Sequence, residues 1–459
     1  MHGLDLMLHG PIVRTFLRYC IPWTLAMLFQ SSAAMVDGFF VGRYMGALPL
    51  AALSLVMPLY SLFFGISIMF ASGGAVRAGK YLGERRPEAA SAVFTKTMIG
   101  LTLVSTAAAL GMLAFSRELV VFLGAREELI TPAETYLRGL LLFGPMIPGG
   151  MALSYFVRAD GKPALASGGL MLSALINIVL DAVFIPVFGM GVEGAAYATG
   201  IAYTISTGVL CLHFLMPGAR CRFTGTLGAW KEVAHACWNG VSELINEASI
   251  GLVILFINWI LLARVGSYGV AAFTIINYAA WFGTSIAYAI SDSLSPLVSA
   301  NFGARNFTRV RRFLALALCL VFGDGLLLYG AFALYPELLL KIFLPGEEQV
   351  VTVTLEFIGW FKLAFLFSGP SMALASFFTA LHMAGASAMV ASLRSLLFPL
   401  GFLWLLPRLF GNAGVYAAIP LAELCTLFVA AAIFTLSRER FSGHAPHHPG
   451  RAALGRKDL

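Results

Sequence analysis

Of the 459 residues, 59% are hydrophobic and 12% are charged, with a mean hydropathy of +0.85, whereas a soluble domain of this size carries roughly a quarter charged residues. The net charge of +7 sits mostly in loops on one side of the apolar runs, so it reports membrane topology and not nucleic-acid binding. The six cysteines are scattered without a CxxC pair, which excludes a disulfide framework and a thiolate metal site.

Crossing a hydrocarbon core of about 30 Å takes about 20 helical residues, and apolar runs of that length recur along the whole chain. They lack the alternation of barrel strands, so the fold class is an all-α integral membrane protein. No cleavable-signal pattern occupies Met1 to Arg18. Twelve transmembrane spans are predicted: 16–42, 49–76, 92–115, 133–156, 165–188, 194–216, 236–262, 268–300, 313–335, 351–381, 386–407 and 413–436. Several are longer than a crossing needs, and Pro22, Pro58, Pro145, Pro148, Pro296, Pro370 and Pro399 are the expected kink sites. The positive-inside rule places both termini in the cytoplasm, with Arg77, Lys80, Arg85 and Arg86 after the second span and Arg305, Arg309, Arg311 and Arg312 after the eighth.

Three stretches match at a shift of 220 residues: 46–52 on 266–272, 80–85 on 300–305, and 194–198 on 414–418. The chain therefore reads as two homologous halves: an N-terminal six-helix bundle (1–217), a cytoplasmic linker (218–234), a C-terminal six-helix bundle (235–437) and a disordered Pro/His tail (438–459). Because each repeat has an even number of spans, both halves enter the membrane in the same orientation, as in transporters.

Acids at membrane depth cost roughly 2.5–3.5 kcal/mol each on insertion scales, so those that persist mark cavities or pathways. They are Asp37, Asp181, Glu243, Glu247, Asp292, Asp324 and Glu423. A scaffold role would recur in both halves, but Asp37 matches Ile257, Asp181 matches Gly401, Glu243 matches Trp23 and Glu247 matches Met27. Residues four apart share a helix face, which joins Asn177 to Asp181 and Glu243 to Glu247, while Gln30 lies two turns before Asp37. Such patches can hold a proton, or a sodium ion where several oxygens converge, and an organic cation would compete with either. Asp292 opens the run Asp292-Ser293-Leu294-Ser295-Pro296, where packing of a broken helix is an equal reading; for Asp324 and Glu423 packing is favoured. Asn258, beside Trp259, is a further pocket candidate with Tyr278 and Trp281. No GxxxxGK[ST], HExxH or GxSxG motif is present, so neither a built-in ATPase nor membrane hydrolase chemistry is expected, and no cofactor beyond a coupling ion is implied.

Several segments together resemble the multidrug and toxic compound extrusion (MATE) family. They are Met35-Val36-Asp37-Gly38-Phe39-Phe40-Val41-Gly42, Gly46 to Leu53, Asn177-Ile178-Val179-Leu180-Asp181 and Pro296 to Ala304, and the match runs from about Pro11 to Ser437. The resemblance implies two six-helix bundles around a central cavity, exporting organic cations in exchange for H+ or Na+ by alternating access. It implies an N-half cation site of Asp37, Asp181 and Asn177 with Tyr136 and Thr199 beside it, sodium being held by Asp37, Asn177, Asp181 and Thr199 if sodium is the ion. Glu247 resembles the helix 7 acid of branches that bind the coupling ion in the C-half, with Glu243, Gln30, Asn258 and Asp292 as substrate-facing candidates. Ser368 to His382 contains none of the acid that some members carry in helix 10, and Lys362 stands earlier in that span, so a complete C-half sodium site is not expected. The alternatives are a lipid-linked oligosaccharide flippase, which would favour a cationic cavity, and a non-transporting membrane subunit. The expected partners are small organic cations and membrane lipids, and the duplication makes a monomer the default.

Overall fold

The computed structural model describes residues 3–336 and 348–438; the expected tail from residue 439 onward lies outside the described residues. The described chain is helical: α1 (Gly3–His9), α2 (Ile12–Met45), α3 (Ala47–Gly83), α4 (Pro87–Ala114), α5 (Ser116–Phe122), α6 (Glu127–Leu141), α7 (Met146–Ala159), α8 (Pro163–Phe184) and α9 (Gly191–Leu215) form the first half. The second comprises α10 (Lys231–Arg264), α11 (Ser267–Gly303), α12 (Phe307–Leu334), α13 (Glu348–Phe361), α14 (Ala364–Ala380), α15 (Ala384–Ser392), a π-helical turn (Leu393–Leu397), α16 (Phe398–Phe410) and α17 (Asn412–Leu436). Nine helices among the described residues are long and apolar enough to cross a membrane, and α6–α7 and α13–α14 are two further spans each bent by 47°. With α11, each of the twelve predicted spans has its helical counterpart.

The duplication is written into the element boundaries. Shifted by 220 residues, α3 lands on α11 and α4 on α12, residue for residue at both ends. The left-handed turn positions repeat as well: Gly46 with Gly266, Arg85 with Arg305, and Gly191 with Gly411 all have positive φ. Both bends begin at the same place in the repeat, after Leu141 and after Phe361. Pro145 stands in the first break, but no proline stands between Phe361 and Ala364, so the bend belongs to the repeated scaffold and not to proline. Pro22, Pro58, Pro296 and Pro370 lie inside continuous helices, so α11 is not broken before Pro296 as its sequence suggested. Pro399 cannot donate a backbone N–H, and the π-helical turn ends two residues before it, at Leu397.

The cores show how the halves meet. One large cluster joins both halves on the side where α2 begins, including Phe16, Trp23, Phe94 and Phe156 from the first half and Leu294, Phe313 and Phe377 from the second. Toward the opposite side this core divides: Val41, Val56, Tyr136 and Ile185 pack within the first half, while Ile257, Phe273, Phe357 and Tyr416 pack within the second. The bundles are thus closed on the α1 side and separately packed on the other.

Glycine makes the closed side tight. A Cβ on Gly73 would stand 1.8 Å from the Ala236 carbonyl oxygen, and one on Gly240 would stand 2.1 Å from that of Met69, so α3 and α10 cross backbone to backbone. The ends of α3 and α11 meet in the same way through Gly83 and Gly303. Helix α1 spans the seam, since Asn301 and Arg309 donate to the Met7 carbonyl at 3.0 and 2.9 Å while Gly3 abuts Gly161 of the first half.

The connection between the halves is itself docked. Asp160 accepts from the backbone N–H of Arg220 (3.1 Å) and Cys221 (3.3 Å) and lies 2.8 Å from His213 Nε2. Lys96, buried within α4, donates to Glu232 Oε2 at 2.7 Å and to the Ala229 carbonyl at 2.9 Å, and Tyr81 donates to Glu232 Oε1 at 2.7 Å.

Candidate functional site

In the first half, Asp37 lies two turns from the end of α2, and Asn177 and Asp181 occupy the last two turns of α8, which packs extensively on α2. The anticipated set converges: Asp37 is within electrostatic range of Asp181, and both act on the buried Tyr136 hydroxyl of α6. Asp181 is wholly buried, and neither of its carboxylate oxygens nor Asp37 Oδ1 has a hydrogen-bond partner. Asn177 does not turn its amide to Asp181 as the shared helix face suggested. Its Nδ2 donates to Thr199 Oγ1 at 3.3 Å, because α8 packs closely along α9 and the hydroxyl faces it directly.

The patch therefore holds two carboxylates, an amide, an aliphatic hydroxyl and a phenol. None of the ion pairs formed among the described residues involves Asp37 or Asp181. Two carboxylates brought together at low dielectric repel unless a cation or a proton intervenes. The set is all oxygen ligands, suited to a proton or a hard monovalent cation. No group of three or more His, Cys, Asp or Glu side chains among the described residues forms a transition-metal site.

Gln30 stands apart from this set, donating to the Leu170 carbonyl at 3.4 Å. It also meets Tyr203, which interacts with Tyr60. Tyr60, on α3, is within electrostatic range of Tyr136 and of Glu247 in the second half. A line of phenols thus runs between the two acidic patches, a feature missed in the sequence because tyrosine is ordinary packing material in most helices.

In the second half, Glu243 and Glu247 lie one turn apart on α10, and Glu243 accepts from the Tyr288 hydroxyl at 3.3 Å. Glu243, Asn246, Tyr288, Asp292 and Arg394 line a narrow cleft that is partly open to solvent. Ser395, in the π-helical turn, donates to Asn246 Oδ1 at 2.6 Å, which fixes that wall. Asn258 lies three turns further along α10 from Glu247, outside this cleft, with its Oδ1 buried and unpartnered. Glu423 is committed to Arg394 at 3.1 Å, the packing role favoured for it.

Asp292 has a partner the sequence reading did not anticipate. Arg158, at the end of α7 and 1% exposed, donates through Nη1 to Asp292 Oδ2 at 2.6 Å and through Nη2 to the Asp292 carbonyl at 2.8 Å. Its guanidinium lies over the Trp23 ring at 3.9 Å, and the Tyr155 ring is 5.2 Å away. The pair crosses from one half to the other on the closed side. The signal was present as a basic residue directly following the apolar run Met151 to Val157, but Asp160 and Lys162 beside it give that segment the look of a loop.

The architecture and its two acidic patches define a two-bundle membrane transporter fold. Solved structures share it: an outward-facing multidrug resistance MATE family transporter of the MOP superfamily aligns with TM-score 0.88 and 21% identity over 97% of this chain and 99% of that one. A MOP superfamily transporter from Pyrococcus furiosus aligns with the same score, identity and coverage. The chain matches the MatE family model over residues 22–183 and 247–404, and it belongs to the MatE family. It is 22% identical over 445 residues to the multidrug export protein MepA of Staphylococcus aureus, covering 94% of this chain and 96% of that protein. The MepA of Staphylococcus saprophyticus is 21% identical over 443 residues.

Proposed function

We propose that this protein is a secondary active multidrug efflux transporter, exporting organic cations in exchange for H+ or Na+ by alternating access, with both termini in the cytoplasm. The observation that carries the reading is the pair of acidic patches, Asp37 with Asp181 and Glu243 with Glu247, each held inside its own bundle and, among the described residues, paired with no basic side chain. Membership of the MatE family and likeness to proteins described as multidrug exporters support it. Closure on the α1 side, with separate cores opposite, corresponds to the outward-facing state of such a cycle.

In this reading Asp37 and Asp181, with Asn177, Tyr136 and Thr199 beside them, bind the coupling ion. Glu247 carries a second cation-binding charge, and Glu243 and Asp292 face substrate. The test is accumulation of a fluorescent organic cation in cells expressing the protein or its Asp37→Asn and Asp181→Asn variants at matched levels. Lower accumulation with the intact protein alone is expected. Equal accumulation in all three would overturn the assignment and redirect attention to lipid-linked substrates.

A further inference from the structure

Asp292 faces two ways. One carboxylate oxygen takes the Arg158 guanidinium, while the same residue forms part of the cleft wall with Glu243 and Tyr288. The two partners belong to different bodies. Arg158 is held in the first half, stacked on Trp23 and Tyr155, whereas Asp292, Glu243 and Tyr288 all stand on α10 and α11 of the second.

When the halves part on the α1 side, Arg158 leaves with Trp23, and Asp292 stays beside Glu243. Two neighbouring carboxylates then face the newly opened side, and the other cation of the cleft, Arg394, is already committed to Glu423. A monovalent organic cation can neutralise them and stack on Tyr288. When the halves close again, the guanidinium returns to Asp292, and both cations cannot hold that carboxylate.

We infer that Arg158 is a built-in competitor of the substrate: closure on the α1 side drives it onto Asp292 and displaces the exported cation toward the opening. This rests on the organic-cation reading above and assigns Arg158 as a positioning residue for release. The bidentate geometry fits the role, because guanidinium meets carboxylate and carbonyl with two parallel bonds that a drug amine or quaternary centre cannot match.

The test is equilibrium binding of ethidium to the purified full-length protein, with no ion gradient. Arg158→Gln frees Asp292 and tightens binding by about tenfold, while Asp292→Asn weakens it by about tenfold, the scale of a modest charge–charge coupling. The double variant behaves like Asp292→Asn, since the competitor has nothing left to compete for. If the pair were only a latch, both substitutions would break the same bond and move affinity in the same direction, and that result overturns the inference. Arg158→Lys retains the charge but loses the bidentate grip, so it gives a smaller tightening; should Arg158→Gln fail to fold, an unchanged affinity in the Lys variant is equally decisive against the inference. Wild-type protein that binds neither ethidium nor tetraphenylphosphonium sinks the organic-cation reading itself, an outcome distinct from wild-type binding without the opposed shifts.

Discussion

Replacing Gly303 by alanine tests the closed seam directly. The added methyl would stand 2.1 Å from the Lys80 carbonyl oxygen, and its repeat-mate Gly83 would place one 1.9 Å from that of Ala300. Ordinary contact needs more than 3 Å, and backbone cannot rotate aside, so α3 and α11 must separate by about 1 Å or carry an overpacking cost of about 1–3 kcal/mol. The cost falls only on the state closed at the α1 side. At about 2 kcal/mol it shifts the ratio of closed to open forms roughly thirtyfold. Spin labels at Glu88 and Thr308, exposed equivalents at the starts of α4 and α12, report the separation in a cysteine-free background. The Gly303→Ala variant should show a longer Glu88–Thr308 distance and slower efflux. Gly251→Ala, where a Cβ meets nothing within 4 Å, serves as the control and should change neither. An unchanged distance distribution with full efflux in Gly303→Ala would refute the claim that the halves close through this contact.

Other substitutions probe the docked connection and the turn after α14. Glu232→Gln leaves the buried Lys96 ammonium facing only neutral oxygens, and stability should fall by about 2 kcal/mol, less than the loss at a wholly buried pair because Glu232 keeps some water contact. The melting temperature should drop and trypsin should cut faster at the exposed Arg222; an unchanged melting curve would contradict the role given to this pair. His382, at φ 58° between α14 and α15, is held neutral by burial and then by Lys80 and Arg77, which bring its pKa down to about 3. Below its ordinary pKa of about 6.5 the unfolded chain takes up a proton that the folded chain refuses. This residue therefore lowers stability as pH falls, by about 2 kcal/mol at pH 5. The His382→Asn variant tolerates the left-handed backbone and should lose less melting temperature than the wild type between pH 7.5 and pH 5; an identical loss would count against this account.

The spans were legible because a membrane helix declares itself by length and composition alone, and the shift of 220 residues foretold which helices would coincide. The bends were not. Proline marks only the first of them, while the second follows from the repeated backbone and has no residue of its own to announce it. Helix α1 also escaped notice, since seven residues cannot establish a periodicity, although four of them are buried against the seam. The acids of the site stood out by their cost in lipid, and Asp37, Asn177, Asp181, Thr199 and Tyr136 do converge. What those acids pair with was hidden, because a contact such as Arg158 with Asp292 joins residues 134 apart and depends on how the two bundles meet.

Efflux of a fluorescent organic cation from proteoliposomes, under a proton or a sodium gradient imposed one at a time, tests the central claim most directly. One gradient should drive efflux by the intact protein, and Asp37→Asn should abolish that dependence while the protein remains folded. Cation movement that is equal with and without either gradient, or that survives unchanged in Asp37→Asn, would contradict antiport through this site.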